Sequence, residues 1–130
     1  MILLDTCALI FDALTPERLS DPAREALERG EAEGGLACAD ISLWEMAMLT
    51  AKGRLDPGTD PETFCRLATA ARGVQVLAIT PAIAADSVTL DLPRGDPADR
   101  LIAATARNHG AVLVTCDERL RGSEAVATLW

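Results

Sequence analysis

The stretch ILLDT at residues 2–6 decides the fold, because a short apolar run ends directly at a carboxylate, Asp5. A second stretch, AVLVTCD at residues 111–117, repeats this pattern, with Asp117 two residues beyond a β-rich run at 112–115. Short strands that are apolar throughout are typical of parallel sheets covered on both faces. Because ligands of open parallel sheets bind beyond the carboxyl ends of the strands, we expect Asp5 and Asp117 at the same edge.

The rest of the chain alternates short strands with helical segments. Further strands are predicted at residues 36–38, 74–79 and 126–129, the last of them at an edge of the sheet. Helices are predicted at residues 8–14 and from about 42 to 52. The other helices are expected to begin at a capping residue followed by proline, namely Thr15 or Asp21, then Asp60, Thr80 and Asp96. The alternation predicts an α/β fold with a mainly parallel sheet, formed by residues 1–130 as a single domain.

Composition excludes several classes of protein. No apolar stretch is long enough to span a membrane, and residues 1–5 carry no basic leader, so we expect a cytoplasmic protein. The four cysteines are scattered without a CxxC pair, which favours reduced thiols in the core or near a site over zinc binding. His109 is the only histidine, so catalytic triads and multi-histidine metal sites are excluded. A net charge of −8 argues against a protein that coats nucleic acid, but it allows an enzyme that meets phosphate through bound cations.

A third carboxylate, Glu45, stands in an apolar setting. It is the only charged residue between Asp40 and Lys52. The stretch SLWE at residues 42–45 matches a capping box, in which Ser42 would cap the helix and Glu45 would reach back to it. The other interpretation is that a carboxylate amid so much apolar surface has a strong partner such as a divalent cation.

A fourth carboxylate, Asp99, lies in the stretch DPADR at residues 96–100. Asp96 is suited to cap a helix whose first residue is Pro97, and Asp99 then lies in the first turn, where the helix dipole favours an anion. Helix capping alone explains Asp96 and Asp99. Only the convergence of all four acids at one edge of the sheet therefore indicates a functional site. Four acids meeting at one edge would repel each other without a cation, and oxygen ligands suit Mg²⁺ or Mn²⁺ better than zinc.

Four segments carry a resemblance to a known family: ILLDTCAL at residues 2–9, ISLWE at 41–45, DPADRLIAAT at 96–105 and LVTCDERL at 113–120. In this order the sequence resembles the PIN-domain ribonucleases, specifically the VapC-type toxins of bacterial type II toxin–antitoxin systems. The resemblance implies a three-layer α/β/α sandwich and a Mg²⁺- or Mn²⁺-dependent endoribonuclease. It also implies a cognate antitoxin as partner and a homodimer.

The resemblance assigns roles to individual residues. The family's acidic catalytic and metal-binding positions are matched by Asp5, Glu45, Asp99 and Asp117. Its supporting hydroxyl positions are matched by Thr6 and Thr115, and we expect Asp96 to support the site mainly as a helix cap.

Four arginines flank the acids and are candidate contacts to RNA phosphates: Arg94, Arg100, Arg119 and Arg121. Surface salt bridges with neighbouring carboxylates are an equally good interpretation of them. Related toxins frequently carry histidine at the position of Arg94, so the chain departs from the family's pattern at this residue.

Two other functions remain as alternatives. A non-catalytic module could keep this fold and bind without cleaving. A Mg²⁺-dependent phosphotransfer or phosphatase domain also has an aspartate at a strand end, but Cys7 stands where a second aspartate is usual, and the only lysine is Lys52.

Overall fold

A computed structural model of the chain describes residues 1–93 and 95–130. Its centre is a sheet of five parallel strands in the spatial order β3-β2-β1-β4-β5. The strands are β1 (Ile2–Leu4), β2 (Leu36–Ala39), β3 (Gln75–Leu77), β4 (Val112–Val114) and β5 (Thr128–Leu129). The helices are α1 (Thr6–Leu14), α2 (Asp21–Glu33), α3 (Ile41–Ala51), α4 (Pro61–Ala70), α5 (Pro81–Thr89), α6 (Pro97–Asn108) and α7 (Glu118–Arg121), with a 3-10 turn at Pro16–Arg18.

Alternate residues of the central strands face two separate hydrophobic cores. Leu4 and Val114 belong to the core formed with α1, α2 and α4, whereas Leu3 and Leu113 belong to the core formed with α5 and α6. All four side chains are fully buried. The helices therefore cover both faces of the sheet, which confirms the predicted three-layer α/β/α architecture with a parallel sheet.

Strand register places the carboxyl ends of the central strands side by side. Leu4 of β1 is paired with Cys38 of β2 on one side and with Val114 of β4 on the other. The backbone N–H of Asp5 continues this ladder by donating to the carbonyl of Val114 at 3.0 Å. The residue that follows β1 is thus held against the end of β4 by a main-chain hydrogen bond.

The predicted strands are present, although three of them are shorter than expected, among them β4, which ends at Val114 rather than at residue 115. Strand β3 ends at Leu77 rather than at residue 79, because its partner β2 ends at Ala39 and Asp40 already has helical backbone angles. Strand β5 covers only Thr128–Leu129, where it pairs with Leu113 and Val114.

Helix starts follow the predicted caps with one exception. The side chains of Asp60, Thr80 and Asp96 each accept a hydrogen bond from a backbone N–H of the first turn, as predicted. For α2, however, neither Thr15 nor Asp21 is the cap, since the hydroxyl of Ser20 accepts from the N–H of Ala23. Asp21 is instead the first residue of that helix.

Helix α2 approaches the sheet closely at Gly30. A Cβ atom at this position would collide with the side chain of Leu36 on β2, so only glycine fits without a shift. Among the described residues, none of the helices combines the length and apolar character needed to cross a membrane.

Candidate active site

Asp5 stands at the junction of β1 and α1 and is almost completely buried, with 5% of its surface exposed. One carboxylate oxygen, Oδ1, accepts from the backbone N–H of Thr6 at 2.8 Å. The other, Oδ2, accepts from the hydroxyl of Thr115 at 2.5 Å. The Thr115 hydroxyl in turn accepts from the N–H of Asp117 at 3.0 Å, so one threonine links the acids that follow β1 and β4.

Glu45 is held by a threonine from another element. The hydroxyl of Thr6 donates to Oε1 of Glu45 at 2.6 Å and lies 2.9 Å from the hydroxyl of Ser42, which is fully buried. Of the two interpretations of residues 42–45, the capping box is wrong, because α3 begins at Ile41 and Ser42 lies inside the helix. Ser42 faces Thr6 instead of capping, and Glu45 points towards the end of β1.

Asp99 and Asp117 share one guanidinium group. Nη2 of Arg119 lies 3.1 Å from Oδ2 of Asp99 and 3.1 Å from Oδ2 of Asp117. Asp117 also caps α7, since its Oδ1 accepts from the N–H of Arg119 at 2.9 Å. Gly95 makes room for this arrangement, because a Cβ atom there would lie 3.2 Å from Nη1 of Arg119.

Burial and mutual repulsion raise the pKa of three of the acids. Burial is the main cause for Asp5 and Glu45, and the hydrogen bonds from threonine only partly oppose it. Burial, followed by the charges of Asp5, Asp117 and Glu45, raises the pKa of Asp99 to about 7. For Asp117 burial acts in the same direction, but the hydrogen bonds and charge of Arg119 outweigh it and lower the pKa. Shifts of this kind, caused by carboxylates gathered in a cleft, are typical of functional sites.

The four predicted acids line a single cavity of about 250 Å³ at the carboxyl edge of the sheet. The side chains that line it are those of Asp5, Thr6, Cys7, Ile10, Glu45, Leu49, Asp99, Cys116, Asp117 and Arg119. Their carboxylate oxygens are the hard donors that Mg²⁺ and Mn²⁺ prefer, so the donor chemistry fits such an ion. Within residues 1–93 and 95–130, however, no three acidic, histidine or cysteine side chains are already grouped closely enough to hold a metal. Arg119 now occupies the space between two of the acids, so ligands and guanidinium must rearrange for an ion to enter.

The predicted supporting residues lie at or beside this cavity. Thr6 and Thr115 bind the carboxylates directly, and Asp96 caps α6 by accepting from the N–H of Ala98 at 3.0 Å. Asp96 is exposed, in contrast to Asp99 one turn further on, which is only 20% exposed.

The four candidate arginines have different surroundings. Arg119 belongs to the site, whereas Arg100 donates to the carbonyls of Ser87, Leu90 and Leu92 and so ties the end of α5 to α6. Arg121 is exposed on the short helix α7. Arg94 lies outside the described residues.

Sequence reasoning missed part of the site. The sequence indicates Ser42 only as a cap, and no pattern in it shows that the Ser42 hydroxyl faces Thr6. The sequence indicates Cys7 and Cys116 only as thiols in the core or near the site, yet their Sγ atoms lie 3.0 Å apart on the cavity wall. The available signal was their spacing from the strand ends, since each is within two residues of an aspartate of the site.

Comparison with known proteins identifies relatives of this chain by sequence. A family model described as PIN domain matches residues 2–123. Ribonuclease VapC22 of Mycobacterium tuberculosis is 41% identical over 122 residues, which cover 92% of this chain and 89% of that protein.

Solved structures share the fold at lower identity. A crystal structure of VapBC2 from Rickettsia felis bound to a promoter DNA fragment superposes with a TM-score of 0.74 at 18% identity, covering 99% of this chain and 98% of the other. FitAcB from Neisseria gonorrhoeae gives a TM-score of 0.70 at 24% identity, covering 100% and 97%. With a family model that matches residues 2–123 and a relative 41% identical, the chain belongs to the PIN-domain family, as its four sequence motifs indicate.

Proposed function

We propose that this chain is the ribonuclease toxin of a toxin–antitoxin pair and hydrolyses RNA phosphodiester bonds. The observation that carries the proposal is the gathering of Asp5, Glu45, Asp99 and Asp117 around one cavity at the carboxyl edge of the sheet. The name of the relative, Ribonuclease VapC22, supports the same activity at 41% identity. We further propose that residues 1–130 act as one nuclease domain in the cytoplasm.

We infer that the acids hold Mg²⁺ or Mn²⁺ during the reaction. When bound, such an ion supplies an activated water and neutralises charge on the phosphoryl oxygens. The carboxylates would supply its ligands, since carboxylates alone repel a phosphodiester. Asp5 and Glu45 are already fixed by threonine hydroxyls, so they offer preoriented oxygens.

Among the arginines that the structure describes, Arg119 is the best placed to meet an RNA phosphate. It is 53% exposed at the mouth of the cavity while its guanidinium reaches Asp99 and Asp117. If a cation compensated the two carboxylates, the guanidinium would be free for a phosphate, to which arginine binds bidentately. We do not extend this role to Arg100, because its donors are engaged by backbone carbonyls.

We propose a cognate antitoxin as partner and a homodimer as the oligomeric state. Structures with this fold include a toxin–antitoxin complex from Klebsiella pneumoniae, with a TM-score of 0.63 at 23% identity. The acidic cavity would accept an arginine or lysine of the antitoxin in the way that it accepts Arg119 here, because opposite charges favour such an insertion.

The proposal is tested by incubating the purified chain with cellular RNA in the presence of Mn²⁺, Mg²⁺ or EDTA. We expect cleavage with metal and none with EDTA or in Asp5→Asn. The matched control is Asp60→Asn, because Asp60 also caps a helix, α4, but is not part of the cavity lining. Cleavage that persists in Asp5→Asn would contradict the proposal, and metal-independent RNA binding without cleavage would favour the non-catalytic module.

Metal binding is measured separately by thermal unfolding. A ligand at a concentration of 100 times its Kd stabilises the native state by about 2.7 kcal/mol, so saturating Mn²⁺ should raise the Tm and EDTA should reverse the rise. A Tm that does not respond to millimolar metal would contradict the four-acid site.

A further inference from the structure

Two free cysteines face each other beside the carboxylates. Sγ of Cys7 and Sγ of Cys116 lie 3.0 Å apart, and both side chains are partly exposed on the wall of the acidic cavity. The other two cysteines have different surroundings, since Cys38 is fully buried in β2 and Cys65 on α4 donates to the carbonyl of Leu43 at 3.3 Å.

The fold brings Cys7 and Cys116 together although 109 positions separate them. Cys7 lies in the first turn of α1, directly after β1, and Cys116 follows β4, the neighbour of β1 in the sheet. The Asp5–Val114 main-chain bond and the Thr115–Asp5 side-chain bond join the two segments immediately beside the thiols. A disulfide bond is about 2.05 Å long, so closing the pair requires the sulfurs to move together by about 1 Å.

We propose that Cys7 and Cys116 form an intramolecular disulfide when the protein meets a peroxide. The two S–H bonds break and one S–S bond forms. The two protons and two electrons pass to one molecule of hydrogen peroxide, which is reduced to two molecules of water. A dithiol reductant reverses the oxidation. The pair is a modification site that does not depend on whether the cavity cleaves RNA.

The disulfide would join the two segments that carry Asp5 and Asp117. A link between residues so far apart in sequence restricts the unfolded chain strongly, so the oxidised protein should unfold at a higher temperature than the reduced protein. Oxidation also removes the Cys7 thiol hydrogen, which is now directed at Oδ2 of Asp5 over 3.7 Å.

The test is a non-reducing tryptic digest of the full chain after treatment with hydrogen peroxide. Each cysteine falls in its own tryptic peptide, at residues 1–18, 30–52, 55–66 and 108–119. We expect the peptides 1–18 and 108–119 to be joined, with the mass of two hydrogens lost, in a protein that migrates as a monomer on a non-reducing gel. Dithiothreitol should release them.

Variants in which one cysteine is replaced by serine test which two thiols form the disulfide. Cys7→Ser and Cys116→Ser should each abolish the link and the rise in Tm caused by peroxide, whereas Cys65→Ser should retain both. The peptide map of the peroxide-treated wild-type protein tests the proposal even if a variant fails to fold. A link that involves peptide 30–52 or 55–66, a link between two chains, or oxidation of either thiol to sulfinic acid without a link would overturn the proposal.

Discussion

The cavity holds two pairs of carboxylates by different means. Asp5 and Glu45, the hydroxyl-held pair, are bound by neutral donors, namely the hydroxyls of Thr115 and Thr6. Asp99 and Asp117, the arginine-held pair, are bridged by the charged side chain of Arg119. A hydroxyl orients a carboxylate without cancelling its charge, whereas a guanidinium does both.

The pKa shifts of the four acids follow this division into two pairs only in part. Both members of the hydroxyl-held pair have a raised pKa, because burial outweighs their hydrogen bonds. In the arginine-held pair the pKa of Asp117 is lowered, but that of Asp99 is still raised to about 7 by burial and by the other acids. One arginine therefore does not fully compensate the negative charge of the acids in the cavity. We infer that the hydroxyl-held pair is already oriented for a cation, and that the arginine-held pair must exchange its guanidinium for one.

The largest effect is expected from Asp99→Asn, which removes one charge from the arginine-held pair. Asparagine keeps the size of the side chain, so the fold should survive, while metal-dependent RNA cleavage should fall by about 100-fold or more, as when a key electrostatic group is removed. The measurement is the initial rate of RNA cleavage, with circular dichroism to check folding. Asp21→Asn is the matched control, because Asp21 also lies in the first turn of a helix but is 92% exposed.

A smaller effect is expected from Thr6→Val, which keeps the shape of the side chain and removes the donor to Glu45. Groups that orient metal ligands typically contribute about 10- to 100-fold to metal affinity, so Mn²⁺ should bind more weakly by that order. Thr105→Val is the control, because that buried hydroxyl only donates to the carbonyl of Leu101 in its own helix. Equal Mn²⁺ affinities in calorimetric titrations of the two variants would show that Thr6 does not orient the site.

The arginine-held pair also shows which contacts of the site cannot be predicted from the sequence. The strand-end positions of Asp5 and Asp117 follow from apolar runs, and the cap at Asp96 follows from the proline after it, so these residues could be predicted locally. The bonds from Thr6 to Glu45 and from Arg119 to Asp99 join elements distant in the chain, and no local periodicity encodes them. Strand ends and caps depend on neighbours in sequence, whereas side-chain partners depend on how the layers pack.

The raised pKa of Asp99 makes a prediction about pH in EDTA. Its folded-state pKa is about 7 and its ordinary value is 3.8, so between these values the native state holds a proton that the unfolded chain has lost. The free energy of unfolding should therefore decrease as pH rises from about 4 to 7. Asp5 and Glu45 contribute in the same direction. Urea unfolding across this range should show a weaker decrease in Asp99→Asn and an unchanged one in Asp21→Asn, and equal slopes in all three proteins would contradict the assignment.

Replacing Arg119 tests whether a cation must displace it. In Arg119→Gln the acids lose their internal counter-charge, so the metal-free protein should be less stable than the wild type. The rise in Tm on adding Mn²⁺ should be larger, because the ion no longer competes with the guanidinium. Arg121→Gln is the control, because Arg121 lies on the same short helix but outside the cavity lining. A smaller Mn²⁺ response in Arg119→Gln would mean that the arginine assists metal binding.

The smallest effect is expected from Asp96→Ala, next to the arginine-held pair. Asp96 caps α6 through the N–H of Ala98, and loss of such a cap costs about 1 kcal/mol of stability. Asp60→Ala on α4 loses an equivalent cap and should lower stability by a similar amount in urea unfolding. The two variants should differ in cleavage, because only α6 carries Asp99 to the cavity, so a loosened α6 should reduce the rate moderately while Asp60→Ala leaves it unchanged. A folded Asp96→Ala without any cleavage, beside an active Asp99→Asn, would reverse the roles assigned to these two aspartates.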